Sequence, residues 1–68
     1  MEKFCKRLKQ LRTERGLTIK EVCSTLEITV SGFAHYEQGK REPSLETLVN
    51  ICDFFDVTAD YLLGRTEY

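Results

Sequence analysis

The sequence predicts an all-α fold: a compact five-helix domain. Three observations carry this. Apolar residues recur at helical spacing in successive stretches, hydroxyl residues suited to helix caps precede most of them, and the alternation expected of strands is almost absent. A chain of 68 residues has room for a single domain, residues 1–68, around one modest core. Apolar residues are spread along its whole length, so no low-complexity tail, repeat or long linker is expected.

The first helix is expected from Glu2 to Arg15, with Phe4, Leu8 and Leu11 at i, i+4 and i+7 forming its buried stripe. Gly16 then suits the left-handed position that ends a helix. Arg12 lies four residues after Leu8, at the edge of the inward face, where an unpaired charge is costly.

A second helical pattern covers Thr18–Leu26 and a third Thr29–Glu37, joined by Glu27 and Ile28. Thr18-Ile19-Lys20-Glu21 reads as a capping box, in which the Thr hydroxyl and the Glu carboxylate each satisfy an orphan N–H. Val22, Cys23 and Leu26 supply the inner face, and the small residue at 23 suits two helices meeting at a tight corner. Such a corner favours a left-handed residue and therefore Gly, so Glu27 is expected to adopt that backbone at a cost of up to ~1 kcal/mol. Thr29 is the expected cap of the third helix, which buries Ile28, Phe33 and Tyr36 and presents Val30, Ser31, Ala34 and His35 on its opposite face. Gly32 in that helix costs about 1 kcal/mol relative to Ala, so it is either a tolerated defect or a point of close backbone approach. Helices two and three together read as a helix-turn-helix (residues 18–37), a motif whose second helix suits a DNA major groove.

Gln38-Gly39-Lys40-Arg41 ends the third helix in a loop. Ser44, after Pro43, is expected to cap a fourth helix with Leu45, Leu48, Val49, Ile51, Cys52 and Phe55 as its core residues. Asp56 and Val57 turn the chain, Thr58 caps a short fifth helix, and Leu62 and Leu63 are expected to close the core before Gly64.

A formal net charge of −1 conceals a strong asymmetry. Residues 1–20 carry seven Lys/Arg against Glu2 and Glu14, whereas residues 42–64 carry five Asp/Glu and no Lys or Arg. A surface with one nucleic-acid face shows this kind of lopsidedness; two solvated helix faces would also produce it. Cys5, Cys23 and Cys52 form no CxxC pair, and each falls on or beside an apolar stripe, where free Cys acts as a small hydrophobe. One His gives too few partners for a metal site, and no metal or other cofactor is expected. A nucleophile elbow and a Gly-rich phosphate loop are both missing, so no catalytic residue is assigned and an enzyme is not expected. No apolar run approaches the roughly 18–20 residues of a membrane span, and no signal-peptide pattern is present, so the expected location is cytoplasmic.

Taken in order, Leu8-Lys9-Gln10-Leu11-Arg12, Gly16-Leu17-Thr18, Tyr36-Glu37-Gln38-Gly39-Lys40-Arg41, Pro43-Ser44-Leu45-Glu46-Thr47-Leu48 and Asp60-Tyr61-Leu62-Leu63-Gly64 resemble the phage repressor and Cro family of helix-turn-helix regulators, also called Xre. The match runs from about Phe4 to Gly64. It implies a lambda repressor-like domain that binds double-stranded DNA as a homodimer, with the third helix reading the major groove. It also implies a structural ion pair between Arg12 and Glu37. Carried over position by position, base contacts fall to Val30, Ser31 and His35, with Ala34 as an apolar neighbour. Phosphate contacts fall to Thr18, Ile19, Lys20, Thr29, Lys40 and Arg41. Family members often have Gln where this chain has Ile19, and Gln or Arg where it has Val30. Ile19 still offers its backbone N–H to a phosphate, and Val30 can pack against a thymine methyl. The Ser31-Gly32 pair looks like that of some phage repressors, in which the missing side chain lets the helix sit close to DNA.

The leading expectation is a transcriptional repressor acting as a homodimer on a palindromic operator, with Phe54, Tyr61 and Tyr68 as candidates for the dimer interface. No small-molecule effector is expected. The alternative is a protein-interaction module on the same fold, an antitoxin or antirepressor-like adaptor, with weak operator reading. Ile19, Val30 and the acidic second half favour that alternative; Lys40, Arg41 and the basic first helix oppose it.

Overall fold

The computed structural model describes residues 2–68 and contains five helices: α1 (Glu2–Glu14), α2 (Ile19–Leu26), α3 (Val30–Gln38), α4 (Leu45–Phe55) and α5 (Ala59–Leu62). No strand occurs among the described residues. Every helix contributes to one core: Phe4, Leu8 and Leu11 from α1, Val22 and Cys23 from α2, Phe33 and Tyr36 from α3, Ile51, Cys52 and Phe55 from α4, and Leu62 from α5. Burying each large side chain of this set contributes about 1.5–3 kcal/mol, so the first-helix stripe and the three buried phenylalanines dominate the stability of so small a domain.

Four helices start on a hydroxyl cap. Thr18, Thr29, Ser44 and Thr58 accept from the backbone N–H of Glu21 (3.1 Å), Gly32 (3.0 Å), Thr47 (3.1 Å) and Tyr61 (3.0 Å). The expected capping box is complete, since the Thr18 N–H donates to Glu21 Oε1 at 2.8 Å. That backbone hydrogen bond holds the Glu21 carboxyl below its ordinary range, so its stabilisation is present at neutral pH and fades as pH falls through the lowered value.

The α2–α3 corner is left-handed at a non-glycine residue, as the spacing predicts. Glu27 has φ 56° and ψ 40°, and both its N–H and that of Ile28 donate to the Cys23 carbonyl. Two free carbonyl-seeking groups are thereby satisfied, and the direction of α3 is set by one strained residue. Glu27→Gly should therefore raise stability by up to about 1 kcal/mol, which in a domain of this size raises Tm by about 4–8 °C in a thermal melt. A fall in Tm would mean that the Glu27 side chain stabilises the corner in some other way.

Two expected core residues of α4 lie outside. Leu45 is 82 % exposed and Val49 56 % exposed. At 100° per residue, Ile51, Phe55, Leu48 and Cys52 define the inward stripe, and Leu45 and Val49 fall on its edge, where no neighbouring element covers them. Leu63 is likewise exposed, because α5 ends at Leu62 and turns that side chain away from the core. Ile28 is only half-buried.

Three of the seven N-terminal cations hold the fold together. Arg12 reaches α3, as described below. Arg15 donates to the Phe55 carbonyl at 2.6 Å and lies over the Phe55 ring, 5.3 Å from its centroid. Arg7 lies 4.4 Å from the centroid of the Tyr61 ring and donates to the carbonyls of Tyr61 and Thr66, the latter at 2.6 Å. Its second nitrogen meets Glu67 Oε2 at 3.1 Å. One guanidinium thus fastens the final segment of the chain to α1. Arg7→Ala should release residues 63–68, seen as faster amide exchange there with α1 to α4 still protected, at a stability cost of about 1.5–3 kcal/mol for bonds to a charged donor. Unchanged exchange at Arg65–Tyr68 would show that the segment holds without the clamp.

The cysteines behave as small hydrophobes. Cys23 and Cys52 are buried and free, and burial pushes both thiols above their ordinary value. Cys5 is half-buried against the core.

Candidate nucleic-acid interface

α3 stands on the surface with one face in the core and one outward. Phe33 and Tyr36 point inward, their rings edge-on with centroids 6.5 Å apart. Val30 and Ser31 are exposed, and Ala34 and His35 are half-buried beside them. The four expected groove-facing residues therefore share one side of the helix. Gln38 belongs with them. It lies four residues after Ala34 and seven after Ser31, and it is exposed. Its i+4 and i+7 spacing was visible in the sequence, but reading it as the first residue of a loop removed it from the helix face. Its amide can donate and accept together, which suits the edge of an adenine.

Gly32 does not face the same way. It is buried, and a Cβ there would lie 2.8 Å from Thr29 Oγ1 and 3.7 Å from Ile28 Cγ2. Close approach explains this glycine, as the sequence allowed, but the approach is to the helix cap and the corner rather than to the outer face.

The orientation of α3 is held from behind by the expected ion pair. Arg12 Nε lies 2.7 Å from Glu37 Oε2 and Nη2 lies 3.1 Å from Oε1, a bidentate arrangement, while Nη1 donates to the Leu17 carbonyl at 2.9 Å. The side chains are only 13 % and 6 % exposed. The hydrogen bond to Glu37 outweighs burial and holds the guanidinium above its ordinary value. A raised pKa on a base means that its contribution is fully present below the ordinary value, and hence throughout the neutral range.

Around α3 lie the expected anion-binding groups. Lys20 sits in the first turn of α2, and Lys40 and Arg41 sit in the loop after α3. All three are exposed, and none has an acidic partner among the described residues. The loop is well ordered by its backbone: Gly39 is left-handed at φ 76°, and Gly39 and Lys40 donate back to α3, Lys40 N to His35 O at 2.9 Å. A side chain at Gly39 would also crowd Cys5 Sγ, 3.2 Å from the added carbon. Thr18 and Ile19 need qualification. The Thr18 N–H is already taken by Glu21, and the Ile19 side chain is half-buried against the core. What this corner offers an anion is the N–H groups of Ile19 and Lys20, which helix geometry leaves without intrahelical acceptors. Thr29 is exposed but uses its hydroxyl oxygen as the α3 cap.

Of Phe54, Tyr61 and Tyr68, expected as an aromatic surface, the first two are partly covered. Phe54 is half-buried with its ring edge-on to Phe55, 4.9 Å between centroids, and Tyr61 is covered by Arg7. Tyr68 is 91 % exposed. Leu45 and Val49 add exposed apolar surface on α4.

No group of three or more His, Cys, Asp or Glu side chains that could hold a metal is found among the described residues, and none of their helices is long and apolar enough to cross a membrane. An exposed helix set at a left-handed corner, flanked by cations and free N–H groups, defines a helix-turn-helix domain. Residues 8–62 match the helix-turn-helix family, and the chain belongs to it as an Xre-like member. The chain is 38 % identical over 66 residues to the HTH-type transcriptional regulator DdrOP3 of Deinococcus deserti, covering 97 % of this chain and 51 % of that protein. It is 38 % identical over 64 residues to the HTH-type transcriptional activator BcrR of Enterococcus faecalis (94 % and 31 %). It is 30 % identical over 64 residues to the cryptic phage CTXphi transcriptional repressor RstR of Vibrio cholerae (94 % and 58 %). The chain spans about half the length of the curated relatives it matches.

Proposed function

We propose that this domain binds double-stranded DNA and regulates transcription, with α3 in the major groove. The observation that carries this is the outward face of α3, which presents Val30, Ser31, Ala34 and Gln38, with exposed cations at Lys20 in the first turn of α2 and at Lys40 and Arg41 in the loop after α3. Val30 and Ala34 supply apolar contact for a thymine methyl, Ser31 and Gln38 hydrogen-bond base edges, and His35 flanks them. The first-turn N–H groups of α2 and the Lys40-Arg41 loop hold phosphates on either side and fix the register of α3.

Only a few side chains reach the bases from one copy, and a single module of this kind buries about 600–1,000 Å². That favours a homodimer on a palindromic operator, with half-sites about 10–10.5 bp apart. Outside α3, Leu45, Val49, Leu63 and Tyr68 are the large exposed apolar residues available, among those described, for the contact between copies. Repression by occupying the operator is the simplest action for such a domain, and it is the action in the name of RstR.

Salt titration tests the reading. Genuine phosphate contacts make log K fall linearly with log salt, and Lys40→Ala or Arg41→Ala should each lower the slope by about one. Selection from a random DNA pool should return a symmetric motif. Binding that ignores salt, or a pool without enrichment, would overturn the proposal in favour of a protein-binding adaptor.

A further inference from the structure

Between the end of α2 and the outer side of α4 lies an open groove of about 680 Å³. Leu26, Ile28 and Phe54, all half-buried, supply its apolar surface, while Glu27, Glu46 and Asp53 supply its charge. No Lys or Arg lines it. These carboxylates also differ from most others in the molecule. Glu2, Glu37, Asp60 and Glu67 face cations, Glu14 accepts from Gln10, and Glu21 completes a cap. Glu27, Glu46 and Asp53 have no such partner among the described residues.

We propose that this groove docks a cationic amphipathic helix of a partner protein, with apolar side chains on Leu26, Ile28 and Phe54 and Lys or Arg on the three carboxylates. Charge selects the occupant. DNA is excluded by like charge, and a second copy presenting the same groove would set carboxylate against carboxylate. A helix with one apolar and one basic face satisfies both parts of the surface, in the manner of helix-in-groove recognition. The groove shares Glu27 and Ile28 with the corner that orients α3, so its occupant touches the part of the fold on which the outward helix depends. This inference does not rest on DNA binding.

The test is amide chemical-shift mapping on the full chain with a synthetic Leu/Lys amphipathic peptide of about 14 residues, four turns of helix. A peptide with Glu in place of every Lys is the control. The Lys peptide should perturb Thr25–Ile28 and Glu46–Phe54, and the Glu peptide should not. The double variant Glu46→Lys/Asp53→Lys should weaken binding at least tenfold, and so should Asn50→Arg, which supplies the groove with its own cation. Glu42→Lys, an acid outside the groove, should leave affinity within about twofold, since a lone exposed charge is worth little. Absence of binding, equal loss in Glu42→Lys, or perturbations spread over Glu42, Asp56 and Asp60 would overturn the proposal. Concentration-dependent shifts of the groove residues without peptide would assign it to a second copy instead. Measuring DNA affinity of Glu46→Gln/Asp53→Asn separates the two functions: it should stay near the parent value whichever way the peptide experiment falls.

Discussion

Arg12→Ala is expected to destabilise the domain by about 3–5 kcal/mol, more than the double variant Arg12→Ala/Glu37→Ala, in equilibrium denaturation by urea. The asymmetry follows from burial. With Arg12 gone, the Glu37 side chain, only 6 % exposed in the intact pair, loses its bidentate partner, and the Leu17 carbonyl loses its donor as well. Removing both charges leaves a cavity but no stranded ion. The cycle should therefore show a coupling larger than the cost of Glu37→Ala alone, because the double variant loses less than Arg12→Ala does. Losses that simply add would show that the two side chains act independently. For a 68-residue chain a loss of this size is a large share of the total stability, since domains hold only about 0.05–0.15 kcal/mol per residue. The single variant is therefore expected to be largely unfolded near 37 °C, and the double variant is needed to read the coupling.

The second large effect concerns the outer face of α3 alone. Ala34→Glu should lower DNA affinity by at least tenfold and up to about a hundredfold, about 1.4–2.7 kcal/mol, with Tm unchanged within error. Glu is a good helix former, so the helix itself tolerates the substitution. Ala34 is half-buried between the exposed Val30 and Gln38 on the outward side, and the longer side chain there carries its carboxylate to where base edges and phosphates would lie. Comparing the variant by circular dichroism and by fluorescence anisotropy with the selected DNA separates a binding defect from a folding one. An unchanged affinity would mean that this face of α3 does not meet the duplex. Together the two experiments distinguish what holds α3 in place from what α3 does.

Helix limits, caps and the corner were legible in the sequence because they depend on neighbours a few residues away. Thr18 with Glu21, Thr29 with Gly32, and the left-handed Glu27 are local arrangements, and a 3.6-residue period places Phe4, Leu8 and Leu11 on one side without knowledge of what they touch. The outer face of α3 follows from the same period. Arg12 was conspicuous as a charge at the edge of an apolar stripe, although its partner Glu37 came from resemblance rather than from spacing.

The remaining features depend on residues far apart in the chain. The basic character of the first twenty residues suggested a nucleic-acid face, yet Arg7, Arg12 and Arg15 are occupied with groups 54, 25 and 40 residues away. A charge count cannot distinguish a cation held inside the fold from one left for a ligand; only the position of its acceptor can. Leu45 and Val49 have the same difficulty in reverse, since an apolar residue is buried only if another element arrives to cover it, and none does. Sequence alone thus determined the helices, their ends and the helix presented outward, through short-range hydrogen bonding and periodicity. The tertiary structure decided which cations stay free, which apolar residues stay bare and where the acidic groove opens, because each of those outcomes is set by contacts between helices.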